Sequence, residues 1–465
     1  MAGVLRLPTR SIGLKFLLVV ALALAMTIPT LFVYGVMRDR LGRFESVREE
    51  ISRYEGGAQT ILGPVLLVPY EKQIETTSSD NKVQVSTMRG EAVAFAETGA
   101  AKTALTGETK KRGIYTIPTF KSDTALSAHF DIGESKAALA ALDPAARYDW
   151  SKARIVMGVS NTVGVLKDIA LALPGGQSRQ LKPITFSPAA SPTDYQGDTR
   201  PGGFSLVAAP VGDVIGAGGT FDVSSALQLS GAERFSIAAF AKDTEAAMTG
   251  KWSDPSFEGG FLPTQKKIEA GQFSAEWAAP LARRGIPEVA ASIGALSQTA
   301  AQDFAVRLVS PTNIYTGMDR ALKYAMMFIG LVFLAYFMFE IVSGLRAHPA
   351  QYIMVGLAQA IFYLLLLAFA ERIGFDAAFL IAAAATVTLI SLYVGVVFKK
   401  LVYTAAAFLV FIAVYALMYV LMQAEDYALL VGAITSFAAL AALMFLTRNV
   451  AWYGASERAD ASAPG

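Results

Sequence analysis

The 465-residue sequence predicts a mixed membrane protein. Its α region has six transmembrane helices, one N-terminal anchor plus a five-helix C-terminal bundle, and a large mainly-β, sandwich-like extracytoplasmic domain is inserted between spans 1 and 2. Three observations predict this. Five apolar runs follow one another between Tyr324 and Thr447, a sixth lies far upstream at Phe16 to Met37, and apolar residues in the polar stretch between them recur at every second position. Each run holds roughly 20 largely uncharged residues, which at ~1.5 Å per residue crosses a hydrocarbon core ~30 Å thick. The chain divides into 1–37 (N-terminus and first helix), 38–323 (β domain with a helical stalk), 324–448 (five helices) and 449–465 (tail).

The first run continues through Ile28, Leu31, Phe32, Val33, Tyr34 and Val36, past the end of a short signal core, and so reads as an uncleaved anchor. Ala21-Leu22-Ala23 and Ala23-Leu24-Ala25 keep a cleaved signal peptide as the alternative. Pro29 predicts a kink, with the hydroxyls of Thr27 and Thr30 placed to bond the carbonyl that the proline frees. Next, Leu41, Phe44, Val47, Ile51 and Tyr54 make one apolar stripe on a helical stalk that Gly56-Gly57 ends.

Beyond the stalk the period becomes two. Val83 and Val85, then Phe235, Ile237 and Ala239, then Phe273, Ala275 and Trp277, then Phe304, Val306 and Leu308 mark the buried faces of strands. Pro174-Gly175-Gly176, Pro201-Gly202-Gly203, Gly216-Ala217-Gly218-Gly219 and Ser230-Gly231 are turn or loop candidates. Antiparallel sheets packed into one or two sandwich-like lobes fit this length.

The remaining spans run from Tyr324 to Gly344, Ala350 to Ala370, Ala377 to Phe398, Leu401 to Leu421 and Tyr427 to Thr447. Arg6, Arg10 and Lys15, then Arg346, Lys399, Lys400 and Arg448, lie on one side of the spans, whereas the short loops opposite hold Glu371, Arg372, Asp376, Glu425 and Asp426. The positive-inside rule then places both termini in the cytoplasm and residues 38–323 outside. Arg38, Arg40, Arg43, Arg320 and Lys323 flank the insert on the supposed outer side, but long domains translocate largely regardless of charge.

Composition narrows the chemistry. Without cysteine there is no disulfide and no thiolate metal site, and two histidines, His129 and His348, leave little for a histidine triad or a multi-His metal centre. A formal net charge of +2 without a basic stripe argues against nucleic acid. No catalytic residue, metal or cofactor is assigned. The partners expected are the lipid bilayer and an envelope protein, lipid or cell-wall component, in an oligomeric state the sequence leaves open.

Glu340 is the most suggestive single residue, because a carboxylate inside an apolar run costs an estimated few kcal/mol unless it is paired, neutralised or hydrated. It lies about one turn from the end of its span, near Arg346, where it can also reach headgroups. Gln359 shares a helix face with Val355, Phe362 and Tyr363 and is placed to bond a neighbouring helix. Glu371, Arg372 and Asp376 are expected to make an ion pair that fixes their loop. Small residues at Ala378, Ala382 and Thr386, and at Gly432 and Ser436, predict close helix approach. Tyr324, Tyr352, Tyr403, Tyr427, Trp452 and Tyr453 sit near span ends as interfacial anchors.

The stretch Trp252-Ser253-Asp254-Pro255-Ser256-Phe257-Glu258-Gly259-Gly260-Phe261-Leu262-Pro263 resembles the signature of the CreD family of bacterial inner-membrane proteins. Lys323-Tyr324-Ala325 to Phe339-Glu340, His348-Pro349-Ala350-Gln351-Tyr352 to Glu371-Arg372-Ile373-Gly374-Phe375, and Glu425-Asp426-Tyr427-Ala428-Leu429-Leu430 agree with it, with weaker agreement at Gly63-Pro64-Val65 and Arg112-Gly113-Ile114-Tyr115. The resemblance implies a multi-pass protein of the bacterial inner membrane with a periplasmic insert. It further implies a part in envelope integrity and in tolerance to colicins and cell-wall stress, under a two-component system, without a molecular activity. Within the signature, Trp252, Pro255, Phe257, Gly259, Phe261 and Pro263 are candidates for function. They form either a rigid loop that docks a partner or a tight turn closing a β lobe over buried aromatics.

Three function classes follow. The favoured one is a non-enzymatic envelope protein whose β domain binds or senses a partner. The others are a transporter or lipid-handling protein working through Glu340 and Gln359, and a metal-free envelope-polymer hydrolase, which requires a carboxylate pair in the insert.

Overall fold

A computed structural model describes residues 12–77, 83–184, 203–215, 219–309, 314–423 and 428–448. The chain folds as two compact units, one of residues 1–44 with 312–465 and one of residues 45–311. The division therefore falls inside the stretch that the periodicity assigned to the insert. Residues 38–44 and 314–323 pack with the helices because the rings of Phe44 and Tyr315 meet at 5.6 Å and Arg40 pairs with Glu371 at 3.5 Å.

Among the described residues five helices are long and apolar enough to cross a membrane: the N-terminal one within Gly13–Glu55, then Ala325–Ser343, Pro349–Ile373, Phe375–Phe398 and Leu401–Gln423. A further helix, Ala428–Thr447, occupies the expected sixth span. The N-terminal helix breaks at Met26, between Ile12–Ala25 and Thr27–Glu55. Thr27 Oγ1 donates to Leu24 O at 2.6 Å and Thr30 Oγ1 to Met26 O at 3.0 Å. The hydroxyls thus bond the carbonyls on either side of Ala25, whose own oxygen is the one Pro29 leaves without a donor. Ala378, Ala382 and Thr386 are all buried, as their spacing predicted. The short helix Ile314–Lys323 is amphipathic and buries Tyr315, Met318, Ala321 and Leu322.

The second unit is built on two sheets sharing one hydrophobic core. In the first, the long strand Gln59–Thr77 is central, flanked by Arg234–Ala238 and Arg154–Val159 and paired along its far half with Val83–Ala94. Its register slips between Leu62 and Val65, where Gly63 and Pro64 stand. A β-carbon on Gly63 would meet the Phe240 ring at 2.4 Å, and a bulge is where a strand tolerates a proline. The second sheet runs Gln265–Glu269, Gln272–Ala279, Ala241–Lys251, Ala96–Arg112, Tyr115–Asp131, Thr220–Ala232, Ala170–Ala172 and Ser178–Gln180.

Several expectations need correction. The sheets are mixed, because Gln59–Thr77 runs parallel to Arg234–Ala238 and Ala96–Arg112 parallel to Ala241–Lys251. Such pairs need long crossovers in place of hairpins, and here other strands supply them. Ser230-Gly231 is no turn but lies within Thr220–Ala232, where a β-carbon on Gly231 would strike Phe120 at 2.3 Å. Val83 and Val85 are 61% and 56% exposed, so their alternation marks a solvent face. Tyr54, at 74% exposed, leaves the stalk stripe early. The other pairs hold: Phe235, Ile237, Phe273, Ala275, Trp277, Phe304, Val306 and Leu308 are buried. Pro174–Gly176 is a helical turn, while Pro201, Gly202 and residues 216–218 lie outside the described residues.

Candidate functional site

Glu340 sits one turn before the end of helix Ala325–Ser343, where Gly344 closes the helix at φ 67°. Its carboxylate is nearly buried and doubly held. Lys15 from the N-terminal helix donates to Oε1, and the Tyr352 hydroxyl donates to Oε2 at 2.8 Å. The Lys15 ammonium also bonds Ala347 O at 2.9 Å. His348 supports that turn as the cap of helix Pro349–Ile373: its Nδ1 accepts from Ala350 N at 3.2 Å, and the Gln351 side chain accepts from His348 N at 2.9 Å. An ammonium, a carboxylate and a phenol thus form a compact, neutral cluster. Arg346, the cation nearest in sequence, is not the partner. Tyr352 is 1% exposed and serves the carboxylate, which corrects its reading as an interfacial anchor.

Deeper in the bundle, polar atoms stand without protein partners. The Tyr336 ring packs on Tyr352 at 4.9 Å and Phe398 at 5.5 Å, yet its hydroxyl is unbonded. Gln359 shares its buried face with Val355, Phe362 and Tyr363, and its Nε2 reaches Phe328 O only at 3.5 Å, the edge of a hydrogen bond. Among the described residues Gln359 Oε1 and Ser391 Oγ have no partner. At the opposite end of the bundle the expected pairing within the loop is replaced by contacts to other helices. Glu371 accepts from the Tyr315 hydroxyl at 3.2 Å and pairs with Arg40, while Asp376 accepts from Tyr419 and Gln423 at 3.0 Å each.

In the β unit the signature stretch is a packed turn. Trp252 Nε1 donates to Val309 O at 2.9 Å, and Pro255–Glu258 pairs with Asp303–Leu308. The Phe257 ring lies 6.0 Å from both Phe273 and Trp277, and buried Phe261 accepts from Trp277 Nε1 at 3.1 Å. Gly259 holds φ 104°, and a β-carbon there would meet Asp303 O at 2.5 Å. Glu258 joins Arg234 Nε at 2.7 Å to Arg307 Nε at 2.9 Å, and Arg234 continues to Asp303 at 2.7 Å. The Arg307 hydrogen bond, then that of Arg234, holds the Glu258 carboxyl below the usual glutamate range. Pro255 is buried, Pro263 half-buried and Leu262 62% exposed.

Two buried cations lie elsewhere in this unit. Lys242 meets Glu97 at 2.7 Å, Glu288 at 2.8 Å and Glu134 at 3.0 Å. Burial would lower its pKa, but the hydrogen bonds it donates to Glu288, Glu97 and Glu134 outweigh it and raise the ammonium above the ordinary lysine range. Arg284 is fully buried with its guanidinium 3.9 Å over the Phe95 ring, and none of its side-chain nitrogens has a hydrogen-bond partner among the described residues. Burial pulls its pKa down to about 10.

The second sheet presents an open face. Along Ala96–Arg112 and Tyr115–Asp131, core residues such as Ala101, Leu105, Phe120 and Leu126 alternate with outward ones. Strand register aligns Glu245, Ala100, Ser127, Ser224 and Ala172 in one outward row, and Ala247, Lys102, Ala125, Ala226 and Ala170 in the next. Eight of these ten side chains, spread over five strands, are alanine or serine, and Glu245 and Lys102 are the long ones. Two clefts open on this face. One, of about 690 Å³, is walled by Leu173 and Pro174 and carries Asp222, Asp243 and Glu245, with His129 Nδ1 hydrogen-bonded to Asp222 at 2.8 Å. The other, of about 460 Å³, lies over Lys102, Asp123, Ala226 and Gln228. Among the described residues no group of three His, Cys, Asp or Glu side chains could hold a metal ion.

From sequence Lys15 was read only as an orienting charge and Tyr352 only as an interfacial anchor, and the open face was not singled out. Lys15 carried a signal, a cation immediately before the first apolar run, but nothing tied it to Glu340, 325 residues away. Comparison with known proteins agrees with the architecture. The chain is similar to Inner membrane protein CreD of Escherichia coli (strain K12), 29% identical over 437 residues that cover 93% of this chain and 92% of the relative. Residues 11–453 match the family described as Inner membrane protein CreD, and on that near-complete match the chain belongs to the CreD family.

Proposed function

We propose that this multi-pass inner-membrane protein is a non-enzymatic envelope protein that binds or senses an envelope component through its β unit. In this reading six helices span the membrane, both termini are cytoplasmic and residues 38–323 are periplasmic. Its contribution is to envelope integrity and to tolerance of colicins and cell-wall stress. The open face of the second sheet carries the proposal. A sheet with one face in a core ordinarily turns long polar side chains to water. Here alanine and serine supply eight of the ten side chains in two adjoining outward rows, so a flat partner surface can approach the backbone closely there, and two clefts give it depth. In the bundle the buried carboxylate of Glu340 is paired with Lys15 and accepts from the Tyr352 hydroxyl, as suits an anchor.

The test uses the cysteine-free background. Ala125→Cys and Lys400→Cys are each labelled with a membrane-impermeant thiol reagent in intact, outer-membrane-permeabilised cells. Labelling at 125 alone supports the topology, and labelling at 400 alone overturns it. Ala226→Trp on the open face is then expected to abolish rescue of cell-wall stress tolerance in a strain lacking the protein, with its melting temperature unchanged. Full rescue by Ala226→Trp would sink the binding role.

One observation favours a transport reading instead: Tyr336, Gln359 and Ser391 leave polar atoms unbonded inside the bundle, as a hydrated path would require. Loss of function in a normally folded Glu340→Gln variant would favour it.

A further inference from the structure

The break at Met26 has a structural consequence. Met26 turns inward against helix Pro349–Ile373, where a β-carbon on Gly356 would meet its Cγ at 2.4 Å. Further along the N-terminal helix a groove of about 300 Å³ opens, walled by Thr30, Leu31 and Tyr34 and by Met326 and Ile329. Asp319 and Lys323, from the end of the amphipathic helix Ile314–Lys323, stand at its mouth, paired at 2.6 Å. Arg38, one turn past Tyr34, lies over that ring at 5.7 Å. The groove lies at the end of the bundle opposite the Lys15–Glu340 cluster, since Tyr34 is ~28 Å along the helical chain from Lys15.

Its surroundings are those of a lipid-facing surface. Leu31 is 65% exposed, Met326 55%, and Ile28 and Phe32 beside them 70% and 69%. Its volume is at the small end of ligand sites, which run from ~300 to ~1,000 Å³. A groove with an apolar floor and both signs of charge at its mouth matches a molecule with an acyl chain, a phosphate and an ammonium.

We propose that this groove seats one zwitterionic aminophospholipid, its acyl chain along Leu31, Met326 and Ile329, its phosphate at Lys323 and Arg38, and its ammonium at Asp319. The N–H donors of a primary ammonium suit the Asp319 carboxylate, which a quaternary ammonium cannot hydrogen-bond. Burial of acyl methylenes supplies little selectivity within a bilayer, so the headgroup contacts set the preference.

The full chain, reconstituted in nanodiscs of equal parts phosphatidylethanolamine, phosphatidylcholine and phosphatidylglycerol, is released into native mass spectrometry and its retained lipids are identified. One phosphatidylethanolamine per chain is expected. Met326→Trp, which fills the groove, should reduce that adduct about tenfold. Leu389→Trp, at a position 60% exposed on another span, should leave it unchanged. Leu31→Trp fills the same groove from the opposite wall and serves if Met326→Trp does not fold. Asp319→Asn should retain a lipid but lose the preference for phosphatidylethanolamine over phosphatidylcholine. Equal retention in the groove-filling variants and Leu389→Trp would mean annular lipid only and overturn the site. A dimer that Met326→Trp dissociates would assign the groove to a second copy and overturn it equally.

Discussion

The two units treat buried charge differently. In the helical unit the buried Glu340 carboxylate is matched by one ammonium and one phenol, while in the β unit Lys242 faces three carboxylates and Arg284 faces none. The difference teaches that burial alone does not predict what a charge contributes. Removing one member of a matched pair strands the other, whereas removing a charge that has no partner relieves a desolvation cost. Substitutions of similar size should therefore differ in sign between these sites.

The largest effect is expected at Lys242. Lys242→Met leaves Glu97, Glu134 and Glu288 facing one another and should cost about 3 kcal/mol at neutral pH, the low end for a broken buried pair because Glu134 and Glu288 stay partly in water. Burial, its largest cause, already raises the Glu97 pKa with the lysine present. In the variant Glu97 also loses the lysine hydrogen bond that opposes this rise, so its carboxyl should titrate further above its unfolded value, and the destabilisation grows as pH rises through about 4.5 and shrinks in acid. Chemical denaturation of wild type and variant at several pH values reads this out. A pH-independent loss would mean that Lys242 contributes packing and no charge.

Next is the Lys15–Glu340 pair, examined as a double-mutant cycle in detergent. Lys15→Met and Glu340→Met should each cost about 2 to 3 kcal/mol, and the double variant should recover most of that loss. Additive losses would show that the cluster is no energetic unit and would erase the contrast with Arg284.

Arg284→Met should then be neutral or stabilising by about 1 kcal/mol, the relief of desolvation offsetting the lost contact with Phe95. Melting of the full chain decides the sign. A clear loss of stability would mean that the guanidinium is satisfied in the folded protein, and the comparison with Glu340 would fail.

These sites differ in how far the sequence revealed them. Span lengths were legible because a bilayer imposes a single length on apolar runs. The strands carrying Phe273, Ala275 and Trp277, and Phe304, Val306 and Leu308, were legible because large side chains sit on one face only. The open face was not, because Ala96–Arg112 places alanine on both sides: Ala101 is buried and Ala104 exposed, which flattens the period. Pairings that close a fold leave no local trace. Lys242 draws its carboxylates from three separate segments, and Glu340 takes its ammonium from the far end of the chain. Glycines misled in one place, since Gly231 stands where a strand must admit the Phe120 ring and not where the chain turns.

The smallest effect, at Glu258, tests whether matching also governs a half-exposed network. Its folded pKa lies below the unfolded value of 4.5, so its contribution is complete above that value and is lost as pH falls through the folded one. Protonation removes the acceptor shared by Arg234 and Arg307. Wild-type melting temperature should hold to about pH 5 and decline below it, and Glu258→Gln should flatten part of that decline. Lys242→Met keeps Glu258, so acid weakens both proteins through it, and the two melting curves should converge as pH falls only because acid also relieves the carboxylates left around position 242. Parallel curves would mean that those carboxylates do not respond to the loss of their lysine, and matched charge would no longer separate the stable sites from the strained one.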